Sequence, residues 1–159
     1  MIIAVLSDTH LYQVTDELEA VLDRCCRSVD MVIHLGDFVR HSVLAFLGQF
    51  RLEAVAGNMD DEFIREQLPA EKIIEVEGCR IALVHGWGPG GDLRERLRNE
   101  FTGVDAVLFG HTHRPFHLEE DGVLWFNPGS VFAGRGAHPR TMGLLHVHDR
   151  SIRGEIVPL

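Results

Sequence analysis

The sequence predicts an α/β fold, and three observations indicate it. Five short apolar runs each stop at a glycine or a catalytic-type polar residue, as buried strands do where they lead into functional loops. Segments with helical spacing separate these runs in the first half of the chain. Turn signals between apolar runs predict hairpins further on. The strands should therefore form either one large mixed sheet or two stacked sheets.

The first half is predicted to alternate strands and helices. Residues 2–6 make a first buried strand, and Asp16 with Glu19 resembles a capping box that starts the first helix. A strand at 31–36, a second apolar helix and a strand at 52–56 repeat the βαβ pattern. The apolar residues of the two helices are Leu18, Val21, Leu22 and Cys25, then Val43, Leu44, Phe46, Leu47 and Phe50.

The second half is predicted to be richer in strands. A short acidic helix spans Asp61 to Leu68 and stops at Pro69, and a further helix starts at Asp92 with Glu95. Three hairpins are predicted around Glu77-Gly78, Asp121-Gly122 and Asp149-Arg150-Ser151. The strands expected here are 73–76, 79–84, 105–109, 116–119, 123–127, 143–147 and 152–157.

Composition narrows the function classes. The chain has 159 residues, which fits one domain over 1–159, and 45% of them are hydrophobic. A net charge of −9 argues against nucleic acid or an anionic membrane as partner, because both need excess Lys and Arg. Two bound divalent cations would make one face positive, so a phosphate substrate fits this charge. Three cysteines without a C-x-x-C predict reduced thiols and a cytoplasmic protein. An apolar start of only six residues predicts a first strand and no signal peptide.

Side chains that can bind a metal ion follow the five apolar runs. Asp and His are spaced i and i+2 after the first run, two His repeat that spacing after the last, and Asp, Asn and His follow the others. Carboxylate, imidazole and amide donors without cysteine suit divalent Mn, Fe, Co, Ni or Zn. The predicted metal ligands are Asp8, His10, Asp37, Asn58, His85, His111 and His113.

Taken in order, these motifs resemble the signature of the calcineurin-like metallophosphoesterase superfamily. The Ser7-Asp8-Thr9-His10 opening and the Asn127-Pro128-Gly129-Ser130 turn are most similar to its minimal bacterial and archaeal phosphodiesterases. The resemblance runs from residue 7 to residue 130. It implies a four-layer αββα sandwich of two mixed β-sheets flanked by helices.

The resemblance also implies a dinuclear metal centre. Asp8, His10, Asp37 and His113 would surround one ion, and Asp37, Asn58, His85 and His111 the other, with Asp37 as the bridge. Manganese is the expected ion, with iron, zinc, nickel and cobalt as alternatives. The predicted reaction is in-line attack of a metal-bridging hydroxide on a phosphodiester, with Asp37, Asn58 and His85 as the catalytic residues.

Three residues near the motif ends are predicted to meet the substrate: Met59, Arg40 and Arg114. Larger members of the family commonly have His where this chain has Met59, and a thioether is no general acid. Substrates with good leaving groups, such as aryl phosphodiesters, are therefore expected. Trp87 is a second departure, because relatives often have His there.

Other interpretations stay open at this point. The same fold serves as a metal-poor adaptor in membrane-coat assemblies, so a protein-binding scaffold is the alternative to an enzyme. A nuclease or cyclic-nucleotide hydrolase is a narrower alternative, and a homo-oligomer is possible. His34 is expected as a core or supporting imidazole, Asp60 or Asp61 as a ligand-orienting group or helix cap, and Asn127-Pro128-Gly129-Ser130 as a turn.

Overall fold

The computed structural model describes residues 1–89, 93–132 and 138–159. The predicted helix start at Asp92 lies outside these ranges. The strands are β1 Ile2–Leu6, β2 Met31–His34, β3 Leu52–Ala54, β4 Glu71–Val76, β5 Cys79–Val84, β6 Ala106–Phe109, β7 Phe116–Glu120, β8 Val123–Asn127, β9 Thr141–His148 and β10 Ser151–Pro158. The helices are α1 Asp16–Cys25, α2 His41–Leu47, α3 Glu62–Gln67 and α4 Leu93–Glu100.

The strands form two five-stranded sheets. One has the order β10-β9-β1-β2-β3 and the other β4-β5-β6-β8-β7. The pairs β1–β2, β2–β3, β5–β6 and β6–β8 are parallel, whereas the hairpins β4–β5, β7–β8 and β9–β10 are antiparallel. Both sheets are therefore mixed, and of the two arrangements left open by the sequence, two stacked sheets is the one observed.

Each sheet packs on both of its faces, because successive side chains along a strand point to opposite faces of the sheet. Ile3 and Val5 of β1 join Ile81 and Leu83 of β5 in a core between the two sheets. The intervening residues point outward into two further cores. One packs the first sheet against α1, α2 and α3, and the other packs the second sheet against α4. The expected αββα arrangement is confirmed.

The strand and hairpin predictions agree with the structure, with shorter strands at 31–34 and 52–54 than the apolar runs suggested. The capping box at Asp16 is wrong. Thr15 is the N-cap of α1, and its hydroxyl accepts a hydrogen bond from the Leu18 N–H at 3.2 Å. Asp16 therefore lies in the first turn with Glu17 and Glu19, where acidic side chains favour the positive end of the helix dipole.

The three cysteines, Cys25, Cys26 and Cys79, are free. Among the described residues, no helix is both long enough and apolar enough to cross a membrane.

His34 is a buried imidazole at the end of β2, as the sequence predicts. It is fully shielded from solvent, its Nδ1 accepts the Gly36 N–H at 3.2 Å, and its ring stacks on Phe38 at 3.6 Å. Burial lowers the pKa of His34 to about 3. The imidazole is therefore neutral in the folded protein and supports the loop that carries Asp37.

Replacement of this imidazole should change how stability depends on pH. Because the folded-state pKa of His34 lies below the ordinary value of 6.5, the unfolded chain binds the extra proton, and stability falls as pH decreases below 6.5 towards 3. We expect this group to contribute a loss of about 2 kcal/mol between roughly pH 6.5 and 5. His34→Asn keeps an acceptor for Gly36 but does not titrate.

The measurement is the free energy of unfolding by urea at several pH values, on metal-depleted wild type and His34→Asn. The variant should be less stable at neutral pH, because it loses the ring stack, yet its stability should fall less steeply with acid. Parallel pH profiles for the two proteins would contradict the assignment of His34 as a buried neutral group.

Candidate metal centre

The predicted ligands lie at the carboxyl ends of parallel strands. Asp8 and His10 follow β1, Asp37 follows β2, and Asn58 comes after β3. The remaining ligands follow β5 and β6 of the second sheet: His85, His111 and His113. The carboxyl ends of parallel strands meet at one edge of a sheet, and here the edges of both sheets face each other. The site is therefore built across the two sheets.

One group of side chains forms around Asp8. Its Oδ1 lies 3.2 Å from His113 Nε2 and 3.7 Å from His10 Nε2. The two imidazole nitrogens are 3.1 Å apart. Ligands held at about 2.0–2.1 Å from one ion are themselves separated by roughly 3 Å. Asp8, His10 and His113 thus have the spacing of a shared cation site.

A second group forms around Asp37 and His85. Asp37 Oδ2 lies 3.3 Å from His85 Nε2 and 3.4 Å from His10 Nε2, so this carboxylate faces both groups closely, whereas Asp8 Oδ1 lies 4.0 Å from His85 Nε2. Asn58 Oδ1 is 3.2 Å from His85 Nε2 and 3.1 Å from His111 Nδ1. All seven predicted ligands are therefore brought together around these two carboxylates.

Backbone carbonyls orient two of the imidazoles. His85 Nδ1 lies 2.7 Å from the Leu35 carbonyl, and His111 Nε2 lies 2.8 Å from the Gly88 carbonyl. A carbonyl only accepts, so each of these ring nitrogens carries the proton. In the neutral ring, the other nitrogen, Nε2 of His85 and Nδ1 of His111, carries the lone pair that a metal would need, and both nitrogens lie close to Asn58 Oδ1. Such outer hydrogen bonds usually fix metal-binding histidines.

The ligand loops adopt an unusual backbone. Five of the seven predicted ligands have positive φ: Asp8 at 52°, His10 at 48°, Asp37 at 59°, His111 at 66° and His113 at 58°. A residue other than glycine in this region is strained, and the surrounding structure must hold it there. Backbone strain concentrated at residues whose side chains converge on one point indicates a functional site.

Asp60 holds the two loops from the first sheet. Its carboxylate accepts backbone N–H groups from Asp37 at 3.1 Å, Val39 at 2.8 Å and Gly57 at 2.7 Å. Asp61 caps α3 by accepting from the Ile64 N–H. The two roles that the sequence left open for these neighbouring aspartates are thus divided between them.

Close approach of the loops requires glycine at Gly57. A Cβ at that position would lie 2.2 Å from Asp37 Oδ1 and 2.3 Å from the Asp37 nitrogen, where no side chain fits. The Met59 N–H donates to the same Asp37 Oδ1 at 2.7 Å. Backbone from the loop after β3 therefore forms one wall around the Asp37 carboxylate.

The Asn127–Ser130 turn supports the loops from the other side. Asn127 Nδ2 donates to the Gly110 carbonyl at 2.8 Å, and Ser130 Oγ donates to the Asp8 carbonyl at 2.8 Å. Ser7 Oγ donates to Asp8 Oδ2 at 2.6 Å. The sequence indicated this segment only as a turn, and no local signal reveals that it joins the loops after β1 and β6.

The electrostatics favour positive charge between the carboxylates. Burial alone would raise the pKa of Asp8 and of Asp37, but the surrounding histidines outweigh it and hold both pKa values below the usual range. Burial would lower the pKa of His85, yet Asp37 and Asp8 raise it. Burial is also the main cause of the raised pKa of Asp60, where three backbone donors only partly offset it.

These residues fit a divalent metal. Asp8 Oδ1 is buried and has no hydrogen-bond donor among the described residues, while three imidazoles crowd the same space. A buried anionic oxygen without a donor is costly unless a cation lies beside it. Nitrogen and oxygen donors without a thiolate match first-row divalent ions.

The other predicted residues lie at the rim. Met59 is 48% exposed and follows Asn58 directly. Arg40 lies over the Tyr12 ring at 5.4 Å, and Arg114 lines a cavity of about 710 Å³ beside His111. Trp87 is 42% exposed in the loop after His85. None of these side chains belongs to the converging ligand set.

Comparison with known proteins identifies the family. The model of the calcineurin-like phosphoesterase superfamily domain matches residues 1–150. The chain belongs to this superfamily. The resemblance inferred from the motifs is thereby confirmed, and because the family is hydrolytic, so is the prediction of a phosphoesterase.

Individual relatives have similar length. A probable metallophosphoesterase of Methanothermobacter thermautotrophicus is 35% identical, with 99% of this chain and 92% of the relative covered. Phosphodiesterase MJ0936 of Methanocaldococcus jannaschii is 30% identical over 99% of each. The crystal structure of Vps29 from Entamoeba histolytica matches with a TM-score of 0.76 at 22% identity, covering 99% of each chain, which shows a shared fold.

Removal of the negative charge on Asp60 should disturb the site without touching a ligand. Asp60→Asn retains one acceptor oxygen, so at least one of the three buried N–H groups loses its partner, at a cost of about 1–3 kcal/mol. We expect metal affinity to fall by about 10–100-fold, as it does when groups supporting metal ligands are replaced.

Asp61→Asn is the matched control, because asparagine caps helices as well as aspartate does, and the His41 N–H that Asp61 Oδ2 also accepts is exposed and can bond to water instead. Isothermal titration with Mn²⁺ and urea unfolding should show both defects in Asp60→Asn and neither in Asp61→Asn. Wild-type metal affinity in Asp60→Asn would contradict a positioning role for this carboxylate.

Proposed function

We propose that the protein is a phosphodiesterase that depends on two divalent metal ions. The observation that carries this proposal is the position of Asp37. Its Oδ2 lies within 3.4 Å of imidazole nitrogens from both groups, His10 and His85, which come from different sheets. A carboxylate between two sets of imidazole ligands is suited to bridge two cations.

Charge supports a phosphate substrate. Two divalent ions opposite the carboxylates of Asp8 and Asp37 leave a charge of about +2, or about +1 with a bridging hydroxide. Asn58 contributes an oxygen without cancelling that charge. A phosphodiester carries one negative charge, so this site would attract it although the whole chain has a net charge of −9.

The proposed ligands divide as the motifs suggest, with Asp8, His10 and His113 on one ion, Asn58, His85 and His111 on the other, and Asp37 shared. The bound ions would supply a hydroxide at neutral pH for in-line attack on phosphorus and would stabilise the phosphoryl oxygens. The protein holds the ligands in fixed tautomers and at fixed spacing, and Asp37, Asn58 and His85 surround the reacting group.

Protonation of the leaving group is the weak step in this chain. The position after Asn58 holds Met59, whose exposed thioether has no proton to donate. Aryl phosphodiesters, whose leaving groups depart as stable anions, are therefore the proposed preferred substrates. Rim contacts to substrate are proposed for Met59, Arg40 and Arg114.

Several finer points belong to the same proposal. Manganese is the proposed ion, with iron, zinc, nickel and cobalt as alternatives that the same donors accept. We propose that residues 1–159 form a single catalytic domain. A cytoplasmic location is consistent with the three free cysteines. Small-molecule diesters as substrates are consistent with the acidic net charge. The name of the Methanocaldococcus jannaschii relative supports phosphodiester hydrolysis.

Metal content separates the enzyme from the scaffold alternative. After dialysis against Mn²⁺, elemental analysis should give two equivalents per chain for the wild type, together with hydrolysis of bis(4-nitrophenyl) phosphate. Asp37→Asn removes the shared charge, so we expect fewer than two equivalents and at least about a 100-fold loss of kcat/KM.

Asp149→Asn, an exposed hairpin residue, is the control that removes the same charge far from the ligands. An unmetallated and inactive wild type would support the scaffold. Two equivalents of metal in Asp37→Asn would contradict the bridging role of Asp37.

Supplying a general acid should broaden the substrate range. Met59→His places an imidazole beside the ligands, so hydrolysis of alkyl phosphodiesters should rise by about 10–100-fold, with a smaller change for aryl diesters. The measurement is kcat/KM for a matched aryl and alkyl pair, with metal content determined on the same samples.

Met59→Leu is the control, because it removes the thioether without adding a proton donor. If Met59→His has normal metal content and no gain on alkyl substrates, another group already protonates the leaving group.

A further inference from the structure

A cavity of about 350 Å³ lies directly beside two of the predicted metal ligands, Asn58 and His85. Its lining is mostly apolar, with Leu68 and Val84 among the contributing side chains. Trp87 lines the same cavity, and 42% of its surface is exposed. A group attached to phosphorus at the metal centre would have this cavity as its neighbouring space.

One cationic side chain lines this cavity. Arg65 stands in the last turn of α3, and its guanidinium makes no hydrogen bond, ion pair or ring contact within the described part of the chain. Glu71 also lines the cavity, but no ion pair joins it to Arg65 among the described residues. Arg65 is thus available to a ligand.

Two arginines of α4, Arg94 and Arg96, are by contrast already engaged. Arg96 donates to the Trp87 and Pro89 carbonyls at 2.5 and 2.9 Å, and Arg94 pairs with Glu120 at 2.6 Å. These contacts hold the loop after His85 and the start of α4. Arg65 has no comparable structural task, although a free guanidinium gains most from a planar anion such as a carboxylate or phosphate.

We infer that this cavity binds the substituent of the phosphate ester and that Arg65 selects substituents carrying a second anionic group. The substrate class is then a phosphate ester in which a short apolar segment separates phosphorus from a carboxylate or a second phosphate. Arg65 acts as a specificity residue and takes no part in the reaction. This inference rests on the proposed function, because it assumes that phosphorus sits at the metal centre.

Binding of small phosphonates tests this without turnover. Methylphosphonate presents the phosphorus group alone, whereas 3-phosphonopropionate and its homologues with three and four methylenes add a carboxylate at increasing reach. Trp87 reports binding through its fluorescence, since the other indole, Trp125, is only 3% exposed. Ethane-1,2-bisphosphonate tests a second phosphate in place of the carboxylate.

The manganese-loaded wild type should bind at least one of the probes with a second anionic group roughly two- to fivefold more tightly than methylphosphonate, the scale of an exposed charged pair. The tighter of the carboxylate and phosphate probes identifies the anion. Arg65→Gln should abolish this preference and leave methylphosphonate binding unchanged. Glu71→Gln should enlarge the preference, because it removes a like charge from the cavity.

Arg24→Gln is the matched control, because Arg24 is an exposed arginine in the last turn of α1 and lies on the same helical layer. A wild type without any preference, or an Arg65→Gln protein that retains it, overturns the inference. Hydrolysis of bis(4-nitrophenyl) phosphate in the same samples distinguishes the two failures. Active protein without preference refutes only the role of Arg65, whereas protein that neither hydrolyses the diester nor binds methylphosphonate refutes the proposed function and this inference with it.

Discussion

The structure depends on keeping two buried carboxylates close together and ionised. Asp8 and Asp37 are almost inaccessible to solvent, and both face the same set of imidazoles. Charge buried in this way is unfavourable unless positive charge compensates it. The left-handed backbone of the ligand loops, the close approach at Gly57 and the clamp made by Asp60 all serve to hold this unfavourable arrangement in place.

The fold could be predicted from local patterns because each pattern has a direct physical cause. Apolar runs that end in glycine and polar residues mark strands whose carboxyl ends carry loops, and two-residue turns mark the hairpins. The start of α1 was predicted wrongly because Thr15 and Asp16 are both good capping residues. The structure uses the threonine, which leaves three acidic residues in the first turn of the helix.

Long-range contacts explain what the sequence could not show. Asp60 and Asp61 are adjacent residues of the same type, yet Asp60 accepts three backbone N–H groups while Asp61 caps a helix. Only the folded chain determines which of the two side chains points towards the ligand loops. Asn127 supports a loop seventeen positions away in the chain. Arg65 lies in an ordinary acidic helix, and its place in the lining of the cavity beside Asn58 becomes visible only in the folded chain.

The origin of the ligands in both sheets has a mechanical consequence. His85, His111 and His113 extend from one sheet, whereas Asp8, His10, Asp37 and Asn58 extend from the other, so any ion they share joins the two halves of the sandwich at that edge. The free energy of metal binding then adds to the free energy of folding. Chelation should loosen both sheet edges together, and amide hydrogen exchange in the loops after β1 and β6 should accelerate in concert.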